Sequence, residues 1–146
     1  MARKSIGTMM GSQTTSTFIG IPAGTLSDAS GGSVVFGAPC ATPYPSVGAY
    51  CKDAPDAIRG AISSYQANIH HMDFDLGGPI FPNGVNAIDL GNLEFDELDA
   101  AGNRERIRST VSQIVAKGGV PVVIGGDDSI PIPMIDGFAE HGEFFV

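Results

Sequence analysis

Val120-Pro121-Val122-Val123-Ile124-Gly125-Gly126-Asp127-Asp128-Ser129 is the stretch on which the reading of this chain turns. Its first half is β-branched, and its one proline stands near the start, where a missing N–H is tolerated. It reads as the best-defined strand of the chain. Two glycines then permit a sharp turn, and two adjacent carboxylates follow at the strand end. Immediately upstream, Ile107, Val111, Ile114 and Val115 recur at helical spacing within Asn103 to Lys117, forming one apolar stripe that Lys117 and Gly118 close.

Working further outward, Val34-Val35-Phe36 is a second short apolar run bounded by Gly and Pro, which suits a strand buried on both faces. Asp53-Ala54-Pro55-Asp56 predicts a helix start, with Asp53 as cap, Pro55 in the first turn and Asp56 at the positive end of the dipole; the helix runs to about Tyr65. Residues 66 to 86 hold Gly77, Gly78, Pro79, Pro82 and Gly84 and read as a long loop, after which Ala87-Ile88-Asp89-Leu90 resembles a strand. A further helix begins near Pro131 to Pro133, and Phe144-Phe145-Val146 reads as the opening of another buried strand. Strands and helices in alternation predict an α/β fold with a parallel sheet. Residues 1 to 32, rich in Ser, Thr and Gly, form an irregular arm in which the patch Phe18-Ile19-Gly20-Ile21-Pro22 docks on the rest; residues 33 to 146 carry the α/β unit.

Composition narrows the function. Apolar residues make up 42% and charged residues 16%, which is globular rather than disordered. A formal net charge of −8 argues against binding nucleic acid or an anionic membrane surface. The longest apolar stretch, Val120 to Ile124, falls far short of the roughly 20 residues of a membrane span. No signal-peptide pattern follows the start, and only Cys40 and Cys51 are present, so a cytoplasmic protein with reduced thiols is expected.

The strongest candidate site is Gly125 to Ser129, because open parallel sheets bind ligands at the carboxyl ends of their strands. The loop lacks the lysine and spacing of a phosphate cradle. Two readings remain open: oxygen ligation of a hard divalent cation, or Asp127 and Ser129 capping the next helix. His70-His71-Met72-Asp73-Phe74-Asp75 offers four metal-ligating side chains, but neighbours in an extended segment point to opposite sides; it reads as a polar loop with Phe74 as its apolar anchor. Asp89 reads as a turn former before Gly91-Asn92, Cys40 as an inert thiol, and Glu94, Asp96, Glu97 and Asp99 as a solvated face.

Taken together, these segments resemble the ureohydrolases, the arginase and agmatinase family. Gly125-Gly126-Asp127-Asp128-Ser129 is similar to the family's GGDHS signature, and Ala54-Pro55-Asp56-Ala57-Ile58-Arg59 to its GPxxIR helix start. Thr17 to Pro22, Val34 to Pro39, Asp73 to Gly78 and Ile88 to Asn92 resemble agmatinase-type segments in the same order. The resemblance implies a three-layer α/β/α fold of the arginase/deacetylase type. It further implies a two-manganese centre, or nickel in some relatives, that activates a hydroxide to attack a guanidinium carbon and release urea and an amine.

Two departures accompany the resemblance. The family's metal-ligating His in GGDHS is Asp128 here, which makes Asp128 the expected metal ligand of this chain. The DAHxD and DxDxxDP segments that supply the other ligands do not occur in these residues, so the catalytic residues are expected beyond Val146 and the sheet is expected to be incomplete. The expected function is therefore hydrolysis of a small cationic guanidino substrate by the complete protein, as a homo-oligomer (trimer or hexamer) or beside a related subunit. A non-catalytic subunit of such an assembly and a hydrolase of guanidine or biguanides are the alternatives, with a free-standing cation-binding module ranked below them.

Overall fold

The computed structural model describes residues 17–82, 86–139 and 141–142. Strand β1 (Gly32–Ala38) is central, with β2 (Ala87–Asn92) on one side and β3 (Gly119–Gly125) on the other, all parallel. The pairing with β3 is continuous from Gly32↔Gly119 to Ala38↔Gly125, whereas the pairing with β2 shifts between Val35 and Gly37. Parallel pairing requires crossovers, and helices supply them. Alternation along β1 sorts the core. Val34, Phe36 and Ala38 pack with Ile107, Val111, Ile114 and Ile130 on one face, while Val35 packs with Ile124 and Ile21 on the other. Both faces of β1 are therefore buried and apolar, as its sequence predicts, whereas β3 leaves Val120 (58%) and Val122 (38%) exposed.

The first face is covered by α2 (Ala100–Ala116) and α3 (Pro131–Ala139), which also pack on each other. Their approach depends on Gly137: a Cβ there would lie 2.6 Å from the Arg108 carbonyl oxygen and 2.8 Å from Val111 Cβ. The second face is covered by α1 (Ala54–Ile62) and by the arm around Phe18 to Ile21, completing a three-layer α/β/α arrangement, incomplete in extent. Phe144-Phe145-Val146, read as a further strand, lies outside the described residues. Among the described residues no helix is long and apolar enough to cross a membrane.

Several local expectations are corrected. The long helix begins at Ala100 rather than Asn103, because Asp99 caps it, accepting from the Gly102 N–H at 2.8 Å. Asn103 is buried inside the first turn and clamps Asp96, accepting from its N–H and donating to its carbonyl. Asp99 is thus more than part of a solvated face. Asp53 precedes α1 but makes no side-chain cap: its backbone is already helical (φ −89°, ψ 0°), not in the extended conformation that points a cap side chain at the first amides. The α-helix ends at Ile62 and continues as a 3-10 turn over Ser63–Asn68, taking the beginning of the expected loop. At the other end of α2, Gly118 (φ +74°) donates to the Val115 carbonyl and closes the helix as predicted.

Candidate functional site

The Gly125–Ser129 loop leaves the carboxyl end of β3 and is tied to the loop that leaves β1. Gly126 makes this possible, since a Cβ there would lie 2.2 Å from the Pro39 carbonyl oxygen and 2.6 Å from that of Cys51. The Ser129 hydroxyl accepts from the N–H groups of Ala41 (3.1 Å) and Thr42 (3.0 Å) and donates to Asp127 Oδ1 at 2.5 Å. Asp127 Oδ1 also accepts from the Ser129 N–H. The Ser129 hydroxyl thus joins two loops and Asp127 braces its own loop, and none of these bonds serves an amide of α3. Asp127 Oδ2 is closed off from solvent and has no hydrogen-bond partner among the described residues. A buried, unpartnered carboxylate oxygen is costly, which marks it as an atom awaiting a donor or a cation.

Asp128 points the other way, into solvent, where the Tyr44 hydroxyl donates to its Oδ1 at 2.5 Å. That bond to a carboxylate, with burial and the neighbouring charge adding to it, pushes the Tyr44 phenol up to about 12. Tyr50 stacks obliquely beside Tyr44, with ring centroids 6.3 Å apart. Asp128 and Tyr44 share a cavity of about 360 Å³ with Thr42, Arg104, Ser129 and Ile132. Cys40 lies beneath, 2% exposed, its sulfur 4.0 Å from the Ser129 hydroxyl. Burial first, and then the Asp127 carboxylate, push its thiol up to about 11, so it stays protonated at neutral pH, as an inert thiol should. Both cysteines are free.

Asp89 is more than the expected turn former. It does accept from the Gly91 N–H at 2.8 Å, but it is 2% exposed and forms a two-pronged pair with Arg59, Nε to Oδ2 and Nη2 to Oδ1, each at 2.8 Å. Oδ2 also accepts from the Phe18 N–H at 2.7 Å, while the Asp89 backbone bonds to Pro22 and Gly24. One residue therefore pins α1, β2 and the arm together. Arg59 donates as well to Asn92 and to the Gly91 carbonyl. Burial alone would raise the Asp89 carboxyl; the guanidinium and the two N–H donors override it and hold it below the ordinary carboxylate range. An acid within an apolar strand and an arginine on the inner helix face were the only sequence signals of this pair.

His70, His71, Asp73 and Asp75 do not assemble into a ligand set. Asp73 pairs with Gly78 through the backbone and its carboxylate accepts from the N–H groups of Asp75 and Leu76, which makes a tight turn. Phe74 sits at the tip of that turn, 93% exposed, so it anchors nothing; Phe81, packed against the Ile21, Val35 and Ile124 cluster, and buried Ile69 hold the segment instead. Among the described residues no three His, Cys, Asp or Glu side chains come together to hold a metal ion.

A parallel sheet between two layers, with two adjacent carboxylates on the glycine-turned loop after β3, defines an α/β protein whose strand ends suit a ligand. Within that class, the model of the Arginase family matches residues 32–146, and the chain belongs to that family. It is 30% identical over 88 residues to a formimidoylglutamase of Halalkalibacterium halodurans, covering 59% of this chain and 26% of that protein. It is 32% identical over 92 residues to an arginase of Bacillus caldovelox (61% of this chain, 30% of that protein). Over 55 residues it is 38% identical to a mitochondrial agmatinase of Gallus gallus (37% of this chain, 16% of that protein). The chain thus spans less than a third of the length of these curated relatives.

Proposed function

We propose that the protein carrying this chain hydrolyses a guanidino compound, water adding to the guanidinium carbon and the C–N bond to the amine breaking, with urea and a protonated amine as products. The observation that supports it is the pair Asp127 and Asp128 on the loop after β3 of a chain from the arginase family. The three relatives are named for different activities, so agmatine is one test substrate among several.

The oxygen donors fit a hard divalent cation, manganese first and nickel second. Asp127 has a buried carboxylate oxygen with no partner among the described residues, and Asp128 offers an exposed carboxylate oriented by Tyr44. These residues would be one corner of a ligand set, with Asp128 its direct ligand. A cation held there would lower the pKa of water, so that a hydroxide-like nucleophile could attack the guanidinium carbon at neutral pH. The chain's own part is to hold that corner still: Ser129 locks the loop, and Gly126 lets it approach the β1 loop. Acidic side chains on the same edge attract a cationic substrate. A homo-oligomer in a reducing cytoplasm goes with this reading.

The test is urea release by the whole protein from agmatine, arginine and 4-guanidinobutyrate, with manganese or nickel added. Asp128→Ala should lower bound metal, measured by elemental analysis, and activity together. Absence of turnover with every guanidino compound and either metal would refute the proposal.

A further inference from the structure

The cavity beside Asp128 has walls of opposite charge. On one wall Asp128 carries a carboxylate fixed by Tyr44; on another, Arg104 presents a guanidinium from the second turn of α2. Arg104 is not loose, since its Nη1 donates to the Thr42 hydroxyl at 3.0 Å. Among the described residues Arg59, Arg106 and Arg108 each have a carboxylate oxygen within 3.7 Å, and Arg104 does not. In a chain of net charge −8, an arginine positioned by a hydroxyl and, among the described residues, by no acid is set apart from the other three described arginines.

We infer that this cavity is a bipolar binding site in which Arg104 receives a carboxylate on the substrate's far end while the Asp128 side receives its cationic end. This rests on the guanidino reading and narrows it. A planar guanidinium fork matches a carboxylate in two parallel bonds, a geometry that a lysine cannot copy. A volume of about 360 Å³ lies at the small end of ligand pockets, enough for a molecule of metabolite size rather than a peptide. Charge also works by exclusion: a substrate ending in an ammonium group would bring a second cation against Arg104. The site therefore selects guanidino acids over guanidino amines. Pro43, Tyr44 and Ile132 line the same cavity, and their apolar surface suits a short alkyl spacer.

A matched series of probes on the whole protein tests this: 4-guanidinobutyrate, butylguanidine and agmatine, which share a guanidinium and a short chain and end in a carboxylate, a methyl and an ammonium group. Calorimetric titration should give affinities in that order, with 4-guanidinobutyrate roughly tenfold tighter than butylguanidine, the factor that one charge-assisted contact supplies. Arg104→Gln should erase the preference and leave butylguanidine unchanged; Arg104→Lys should keep part of it. Thr42→Val, which removes the tether but not the charge, should weaken the carboxylate probe alone. An unaltered preference in Arg104→Gln would overturn the inference and leave the guanidino reading standing. Butyrate alone, followed by the Arg104 Nε resonance, separates the remaining cases. If it shifts that resonance while no guanidino compound binds, the Arg104 assignment stands and the guanidino reading falls. If nothing binds, both fall.

Discussion

Replacing Arg59 with Met should be among the most damaging single changes in this chain. Arg59 is 3% and Asp89 2% exposed, and two bonds of 2.8 Å join them. Removing the guanidinium leaves a buried carboxylate with only the Phe18 and Gly91 N–H groups, at 2.7 and 2.8 Å, to offset its desolvation. Breaking one half of a buried pair costs about 3–5 kcal/mol. Against a total stability of about 5–15 kcal/mol for a domain, that is a large share. With a slope of about 1–3 kcal/mol per molar urea, the unfolding midpoint should fall by roughly 2 M. Far-UV circular dichroism is the suitable probe, because the chain contains no tryptophan.

The double variant Arg59→Met/Asp89→Leu adds a second measurement. It removes the uncompensated charge but orphans the Phe18 and Gly91 amides, at about 1–3 kcal/mol each, so its loss should be clearly less than the sum of the two single losses. pH gives the third. In the native chain the Asp89 carboxyl lies below its ordinary range, so its contribution is present above the unfolded value and fades as pH falls through the lower folded one. Without Arg59, burial dominates and the carboxyl rises, so the variant's penalty should shrink as pH drops from 7 toward 4. A loss under about 1 kcal/mol, with additive single effects, would refute the view that the pair joins arm, strand and helix.

Three further outcomes are expected. Ser129→Ala should cost about 1–3 kcal/mol, because the Ala41 and Thr42 amides lose their shared acceptor; thermal melts measure the loss, and faster hydrogen exchange at those two amides locates it. Gly126→Ala should destabilise by about 1–3 kcal/mol or more, since the new Cβ meets the backbone oxygens of Pro39 and Cys51, which cannot move aside as a side chain would; chemical unfolding checks it. Iodoacetamide at pH 8 should modify half-buried Cys51 at least roughly tenfold faster than Cys40, whose buried thiol is pushed up to about 11; peptide mass mapping against time reads the ratio.

Much of the fold is legible in the sequence. The β-branched runs at Val34 and Val122, the stripe Ile107, Val111 and Ile114, and the closing Gly118 are local signals, and local signals survive in one dimension. The candidate loop was legible for the same reason, because glycine pairs and strand ends are properties of neighbours. What was misread depended on distant partners. Phe74 looked like an anchor by its chemistry, but the Asp73 turn carries it outward. Asp53 has the chemistry of a cap and the wrong backbone for it, while Asp99, placed among apparently solvated acids, has both.

The sequence by itself determined that this chain builds a parallel α/β layer and ends β3 in two carboxylates, because periodicity and turn chemistry act between residues a few positions apart. Only the tertiary structure decided what those carboxylates face. Tyr44 reaches Asp128 across 84 positions, Ser129 reaches Ala41 across 88, and Arg59 meets Asp89 across 30. Such pairs are created by crossovers that fold distant loops onto one edge of the sheet, and the energy of each depends on burial that no single segment possesses.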